Sequence, residues 1–354
     1  MFEMQKYKIS IGSNIIDGPW GGGNQFAISL TEYLKAKGWE VVSDLSAGDI
    51  DIIVMTEPRR NLKSCKYNQL EISRYVAKKP DTVVVHRINE CDERKGTKNV
   101  NNYLKRANSV ADFTIFISAF LKGLFIDGNI LDTANFAVIR NGADRKIFNM
   151  DGRNKWDGKS TLKIVTHHWG GNYYKGFDIY ELIDKLSGNK STLNIELNYI
   201  GNLPQNFSFM NSKVHLPLKG KELASKIKEN HIYITASINE PAGMHHIEGA
   251  LCGLPLLYRN SGGLPEYAKD FGIMFEGKED IFEKLAELAE KYDYYFSAME
   301  KYPYNSELMC GSYEDLFIKL LDGRKNFDLN CRRKKYKEIY FKEKFVYKHY
   351  KGDN

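Results

Sequence analysis

Ser237-Ile238-Asn239-Glu240-Pro241-Ala242-Gly243-Met244-His245-His246-Ile247-Glu248-Gly249-Ala250-Leu251-Cys252-Gly253-Leu254-Pro255 is the stretch on which the fold turns. It leaves an apolar run, His231–Ala236, crosses a loop that carries Pro241 and Gly243, and enters a helix over Met244–Leu251. A second apolar run, Leu254–Tyr258, follows the helix. Short apolar runs bounded by turn residues read as strands buried on both faces. Strand, helix and strand in that order make a βαβ unit with parallel strands.

The alternation continues outward. Downstream, Gly272–Phe275 reads as one more strand; upstream, so do Leu162–Thr166, Leu193–Ile200 and Val214–Leu216, with helices over Phe177–Leu186 and Glu222–Glu229. A polar stretch, Asn149–Ser160, interrupts the pattern with Asp151, Gly152, Asp157 and Gly158. Before it the pattern runs a first time, with strands over Lys8–Ser13, Trp39–Asp44, Ile50–Met55, Thr82–Ile88, Phe113–Ser118 and Phe136–Arg140 and a helix over Asn24–Lys37. The expected fold class is therefore α/β, with two Rossmann-like doubly wound domains facing a cleft. The domains span residues 1–150 and 161–331, joined by a linker over 151–160. In such sheets ligands sit outside the carboxyl ends of the strands, so the loops there are where chemistry is sought.

Composition narrows the field. The chain has 354 residues, 42% hydrophobic and 27% charged, and its apolar runs are far shorter than a membrane span. No hydrophobic segment follows the charged start Met1–Ser10, so export is not expected and the cytoplasm is. Five cysteines, none in CxxC spacing, fit a reducing compartment and argue against a disulfide scaffold. The net charge of +6 is concentrated at one end, where residues 324–354 hold eleven Lys/Arg against four Asp/Glu. That tail is +7 and the remaining body −1, so the basic balance describes the tail alone. Within it Tyr336, Ile339, Tyr340, Val346, Tyr347 and Tyr350 recur three and four apart, which predicts an amphipathic helix over about 332–351. Its basic face suits a peripheral contact with an anionic membrane surface; nucleic acid is not expected, because no binding fold for it accompanies the run.

Candidate chemistry lies in three loops. Gly18-Pro19-Trp20-Gly21-Gly22-Gly23-Asn24, between the first strand and helix, lets the backbone approach an anion at a helix N-terminus, although Phe26 breaks a GxGxxG fingerprint. Glu240 lies on the loop after a strand and Glu248 in the following helix, so two acids reach one ligand from adjacent levels. Asn260-Ser261-Gly262-Gly263-Leu264-Pro265-Glu266 is a further glycine turn before a helix. Rival sites are weaker. The adjacent pairs His167-His168 and His245-His246 point apart and chelate poorly, so no metal is expected. Asp49-Ile50-Asp51 enters a strand instead of leaving one, and Cys91 has no evident base.

Glu240 and Glu248, followed by Gly253-Leu254-Pro255 and Ser261-Gly262-Gly263-Leu264-Pro265-Glu266, resemble the donor-site signature of retaining GT-B glycosyltransferases of family 4 (glycosyl transferases group 1). Asn141-Gly142-Ala143-Asp144 is similar to that family's NGVD segment and Lys175-Gly176-Phe177-Asp178 to its KG-x-D turn. His86 resembles the histidine that faces the donor sugar, and the glycine loop the family's N-domain loop. The resemblance implies a metal- and cofactor-independent hexosyltransferase. Its partners would be a nucleotide-diphosphate-sugar donor and a glycan, lipid or small-molecule acceptor. Glu240, Lys175 and His86 would be catalytic: Glu240 on the sugar hydroxyls, Lys175 on the diphosphate. Glu248 would hold the ribose, and Gly243, Met244, Ser261, Gly262, Gly263 and Leu264 would line the donor, with backbone N–H groups on sugar or phosphate. Gly21, Gly22 and Gly23 would form the acceptor or phosphate loop. The last helix would cross back to the first domain. The family's usual Arg, five residues before the Lys, is replaced here by Gly170, leaving His168, Arg140 or Arg259 to supply a second cation. Rival readings on the same architecture are a nucleotide-sugar epimerase and a phosphorylase, the latter normally longer and bearing pyridoxal phosphate. A non-catalytic nucleotide-sugar or polyanion binder is the alternative from another class.

Overall fold

The computed structural model describes residues 7–18, 20–187 and 193–349. Pro19 of the glycine loop, residues 1–6, and Tyr350 and Lys351 of the tail lie outside these. The first sheet is built from β1 (Lys8–Gly12), β2 (Glu40–Val42), β3 (Ile52–Met55), β4 (Val83–Ile88), β5 (Phe113–Phe116) and β6 (Phe136–Val138). The second holds β7 (Leu162–His168), β8 (Ile195–Gly201), β9 (Lys213–His215), β10 (Ile232–Thr235), β11 (Leu256–Arg259) and β12 (Gly272–Phe275). Between them run α1 (Gly22–Ala36), α2 (Gln69–Val76), α3 (Val100–Ala107), α4 (Ala119–Lys122), α5 (Phe177–Leu186), α6 (Gly220–Lys228), α7 (Met244–Leu251), α8 (Leu264–Ala268), α9 (Ile281–Glu290), α10 (Tyr292–Ala298), α11 (Ser306–Gly323) and α12 (Leu329–His349).

Both sheets are wholly parallel and six-stranded, in the orders β2-β1-β3-β4-β5-β6 and β12-β11-β10-β7-β8-β9. Every residue of β3, β4 and β10 is buried, as strands covered on both faces must be. The two expected doubly wound domains are present. Each sheet reverses its winding once, between β1 and β3 and between β7 and β10. A continuous buried cluster also joins the domains, running from Phe116 and Ile117 to Met244, Ile247 and Tyr258.

The return to the first domain comes earlier than the expected boundary at residue 331. Helix α11 already lies against α1, with the Tyr313 ring tilted against Phe26 (5.1 Å between centres) and Glu314 accepting from Tyr33 (3.2 Å) and Trp39 (3.0 Å). The apolar stripe Met309, Cys310, Tyr313, Phe317 and Leu321 is plain in the sequence, but spacing alone does not say which domain it covers. Two crossings connect the domains and run side by side. Ala143 bridges Asn305 in parallel, Ser306 N donates to Ala143 O (2.8 Å), and a Cβ on Gly142 would meet Asn305 O at 2.0 Å. Helix α12 then packs on α2. Arg332 grips Asp112 (2.5 Å) and the carbonyls of Pro80 and Thr82, Tyr336 donates to Val110 O, and Glu343 pairs with Arg106 (2.6 Å). Among the described residues no helix is long and apolar enough to cross a membrane.

Candidate active site

The reversal between β7 and β10 opens a crevice outside their carboxyl ends, the usual ligand position in such sheets. The chain leaving β7 makes a single 3₁₀ turn, Tyr173–Lys175, closed by Gly176 at φ 100°. Only glycine serves there: besides the left-handed φ, a Cβ would lie 2.4 Å from that of Ala236 at the end of β10. The close approach sets Lys175 Nζ 2.5 Å from Glu240 Oε2.

Glu240 is held from behind. Asn239 stands at φ 49°, its N–H donating to Ser261 Oγ (2.8 Å), and Gly263 N donates to Glu240 O (2.8 Å). Gly262, at φ 60°, passes so close that a Cβ would meet Glu240 O at 2.4 Å. Ser261-Gly262-Gly263 is thus the brace that fixes the carboxylate. The N–H groups of Gly263 and Leu264, expected to face sugar or phosphate, donate here to Glu240 O and Ser261 O, and the Leu264 side chain is fully buried. Gly263 in this way holds the backbone of the acid.

A third charge arrives from the other domain. The loop after β4 carries Glu90 and Arg94; Arg94 Nη1 donates to Glu90 Oε2 (3.0 Å) and its Nε lies 3.4 Å from Glu240 Oε1. Burial alone would raise the Glu240 pKa, but Arg94 and Lys175 outweigh it and hold the carboxyl down at about 2. Burial lowers the Lys175 ammonium from its ordinary range; Glu240 opposes this and Arg94 adds to it. His168, His245 and His246 surround the pair as neutral rings, each held low chiefly by burial.

Glu248 stands eight residues further along on α7 and faces a different partner. Its Oε2 is 2.7 Å from His167 Nε2, and His167 Nδ1 is 3.0 Å from the Tyr233 hydroxyl. Gly243 adjoins Glu240, since a Cβ there would meet its Cδ at 3.3 Å. Opposite, the amino end of α1 closes on α7: a Cβ on Gly22 would lie 2.5 Å from Met244 Cγ, and Trp20 and Trp169 meet at 4.4 Å between ring centres. Gly21 is the N-cap of α1, and Gly23 faces Asn89. The structure therefore gathers Lys175, Glu240, Gly243, Met244, Ser261, Gly262 and Gly22 at one crevice, with Glu248 beside it.

His86 is not among them. It is fully buried within β4, its Nδ1 2.8 Å from Asn108 Oδ1, and burial keeps it neutral with a pKa near 4. The strand continues for two residues beyond it, so its side chain belongs to the sheet and not to the loop that reaches the crevice. None of the three candidates for the second cation completes the crevice either. Arg259 is bound to Asp178 (3.0 Å), Arg140 stands by Glu266 (3.5 Å), and His168 is neutral against the Tyr180 hydroxyl (2.9 Å). No sequence motif marks Arg94; its one signal is that its loop, like that of Cys91, follows the carboxyl end of a strand. The Cys91 thiol, pushed up to about 12 by burial, is no nucleophile. Asp49 and Asp51 are tied to Lys8 (2.7 Å) and Arg324 (2.6 Å) at the entry to β3, as strand-edge residues.

Residues 209–305, about a quarter of the 354-residue chain, match the family model described as Glycosyl transferases group 1, which marks that segment as part of a transferase enzyme. No curated protein matches the chain. Among solved structures it is similar to a sucrose-phosphate synthase from Thermosynechococcus elongatus, with TM-score 0.65 and 14% identity over 90% of this chain and 100% of that one. A glycosyltransferase from Rickettsia africae superposes with TM-score 0.59 and 16% identity, covering 90% and 99% of the two chains. HepE of Anabaena, solved with UDP and glucose, gives TM-score 0.57 and 13% identity over 94% and 99%. At such identities the likeness shows the fold, the two-domain GT-B arrangement.

Proposed function

We propose that the chain is a retaining, metal-independent glycosyltransferase that moves a hexose from a nucleoside diphosphate sugar to a glycan, lipid or small-molecule hydroxyl. The observation that carries this reading is the buried Lys175–Glu240 pair at the winding reversal of the second sheet, beside the amino end of α7. In this reading Glu240, ionised at any physiological pH, accepts hydrogen bonds from sugar hydroxyls. Lys175 meets the diphosphate. Glu248, oriented by His167, accepts from the ribose hydroxyls. The HepE structure, which holds UDP and glucose in the same fold, supports a donor of this class.

The bond from the anomeric carbon to phosphate breaks with its electron pair going to the phosphate oxygen. The acceptor oxygen bonds the same face of that carbon, and its proton passes to the departing phosphate. Negative charge grows on the diphosphate, where a fixed cation and helix amino ends stabilise it without reorganising. In this reading the protein works in the cytoplasm. There the outward face of α12, with exposed Phe341 between Lys334, Lys337 and Lys344, suits contact with an anionic membrane surface.

A thermal-shift screen over UDP-, GDP-, ADP-, CMP- and dTDP-sugars identifies the donor, since a ligand at about 100 times its Kd adds roughly 2.7 kcal/mol of stability. Turnover with that donor, unchanged by excess EDTA and retaining the anomeric configuration, is the expected result. A rate lost to EDTA and restored by Mn²⁺ overturns metal independence, and an inverted product overturns retention.

A further inference from the structure

Arg94 belongs to the N-terminal domain, yet it completes an ion cluster whose other centre, Lys175 with Glu240, belongs to the C-terminal one. Its donors are unevenly used. Nη1 is bound to Glu90, while Nε, shut off from solvent 3.4 Å from Glu240 Oε1, makes no hydrogen bond. A guanidinium donor left unspent beside a carboxylate costs stability unless an acceptor arrives to use it. Three cations, Lys175, Arg94 and Lys95, face two carboxylates, Glu240 and Glu90. The nearby Arg59 is already matched by Glu57 at 2.7 Å, and His168 is neutral. Through these contacts three cations share two carboxylates, at a point where both domains meet. Planar guanidinium groups fit paired oxygens of phosphate better than any other side chain does.

We propose that Arg94 is a catalytic residue of sugar transfer: its guanidinium, carried across the cleft by the other domain, binds the phosphate oxygens of the departing diphosphate beside Lys175. The inference rests on the reading of the site as that of a nucleotide-sugar transferase. As the anomeric carbon–oxygen bond breaks, Arg94 donates N–H bonds to the oxygens that receive the electron pair and keeps its own proton. Because the cation sits on the facing domain, it is in place only when the cleft is shut. Leaving-group stabilisation is thereby coupled to exclusion of water, which would otherwise take the sugar.

The test uses the full chain with Arg94→Gln, Arg94→Lys and Arg94→Ala. UDP, GDP and ADP are titrated beside the corresponding monophosphates, and turnover is followed with the sugar of whichever diphosphate binds. The Gln variant is expected to lose kcat by roughly 10²-fold, the scale of one transition-state contact. Its affinity for the diphosphate should fall by about tenfold, as for one hydrogen bond to a charged group, with the monophosphate unaffected. Added guanidinium should restore part of the rate to the Ala variant. A mere strut would weaken both nucleotides alike, lower the melting temperature and show no guanidinium rescue, and that result overturns the assignment. So does a Gln variant within about twofold of the parent kcat. A parent chain that binds no nucleoside diphosphate at all overturns the underlying reading itself, a distinct failure.

Discussion

Glu248 on α7 and His167 at the end of β7 share a 2.7 Å contact, and behind it the Tyr233 hydroxyl lies 3.0 Å from the other nitrogen of the same ring. The chain fixes the orientation of this carboxylate before anything binds. On the proposed reading this carboxylate meets the ribose, and such contacts are made equally in ground and transition states, so they would govern affinity and not the chemical step. Glu248→Ala should raise the donor KM by roughly 10- to 100-fold with kcat nearly unchanged, the worth of hydrogen bonds to a charged group. His167→Phe should give the same pattern at smaller size. A fall in kcat at constant KM would assign the pair to the chemical step instead.

Lys175 carries the opposite expectation. Lys175→Ala should lower kcat by about 10²–10³-fold, because it removes charge stabilisation where charge develops. Gly176→Ala reaches the same residue through the backbone: it forces a Cβ into φ 100° and to 2.4 Å from Ala236. The expected cost is roughly 1–3 kcal/mol of stability together with lost activity, read by urea denaturation and steady-state rates. Full activity in the Gly176→Ala protein would show that the turn does not set the lysine.

Acid should destabilise the fold in two separate windows. His86 and His246 are neutral when folded, with pKa values lowered by burial to about 4 and about 3 from 6.5. Above pH 6.5 neither the folded nor the unfolded form binds the proton. As pH falls toward 4 the unfolded chain takes it up and the folded one does not, so stability declines. Each such ring contributes a slope of about 1.4 kcal/mol per pH unit in that window. Glu240, held down at about 2, adds a second decline only as pH falls below 4.5. Urea midpoints measured from pH 7.5 to 5 should drop steadily below 6.5; a flat profile would mean that these rings are not buried neutral.

Helix α12 should be indispensable to the N-terminal domain. Truncation after Leu329 strips α2 of its cover and should lower the melting temperature and expose Ile72 and Val76 to aggregation. Arg332→Ala isolates the cause, since it leaves half-buried Asp112 without its partner at an expected cost of roughly 3 kcal/mol. Calorimetry of the two proteins checks both, and an unchanged transition in the truncated chain would refute the docking role.

Much of this was legible beforehand. Phe177–Leu186, Met244–Leu251 and Gly272–Phe275 are bounded as their spacing implies, because each opens at or just after a glycine (Gly176, Gly243, Gly272) and its apolar run gives way to Ser187, Cys252-Gly253 or Glu276-Gly277. Glu240 was legible from its loop after a strand, and Lys175 from the resemblance of Lys175-Gly176-Phe177-Asp178 to a KG-x-D turn. What eluded the sequence depends on contacts between distant segments. Nothing local says that Arg94 crosses to Glu240, 146 residues away, or that His86 turns toward Asn108. The partner of α11 is likewise a tertiary fact, because an apolar stripe states only that something covers it. The backbone N–H of Gly263 looked free in sequence because its acceptor, Glu240 O, lies 23 residues upstream.

The paired crossings near Ala143 and Asn305 have a mechanical meaning. A single flexible tether lets two bodies twist, slide and tumble. Two tethers laced together by the Ser306–Ala143 hydrogen bond form a flat strap, which bends easily across its width and resists torsion. A strap of this form favours rotation of the two halves about one axis, like the covers of a book about its spine, over twisting of one against the other. A protease nick in one tether would leave the other holding the pages together.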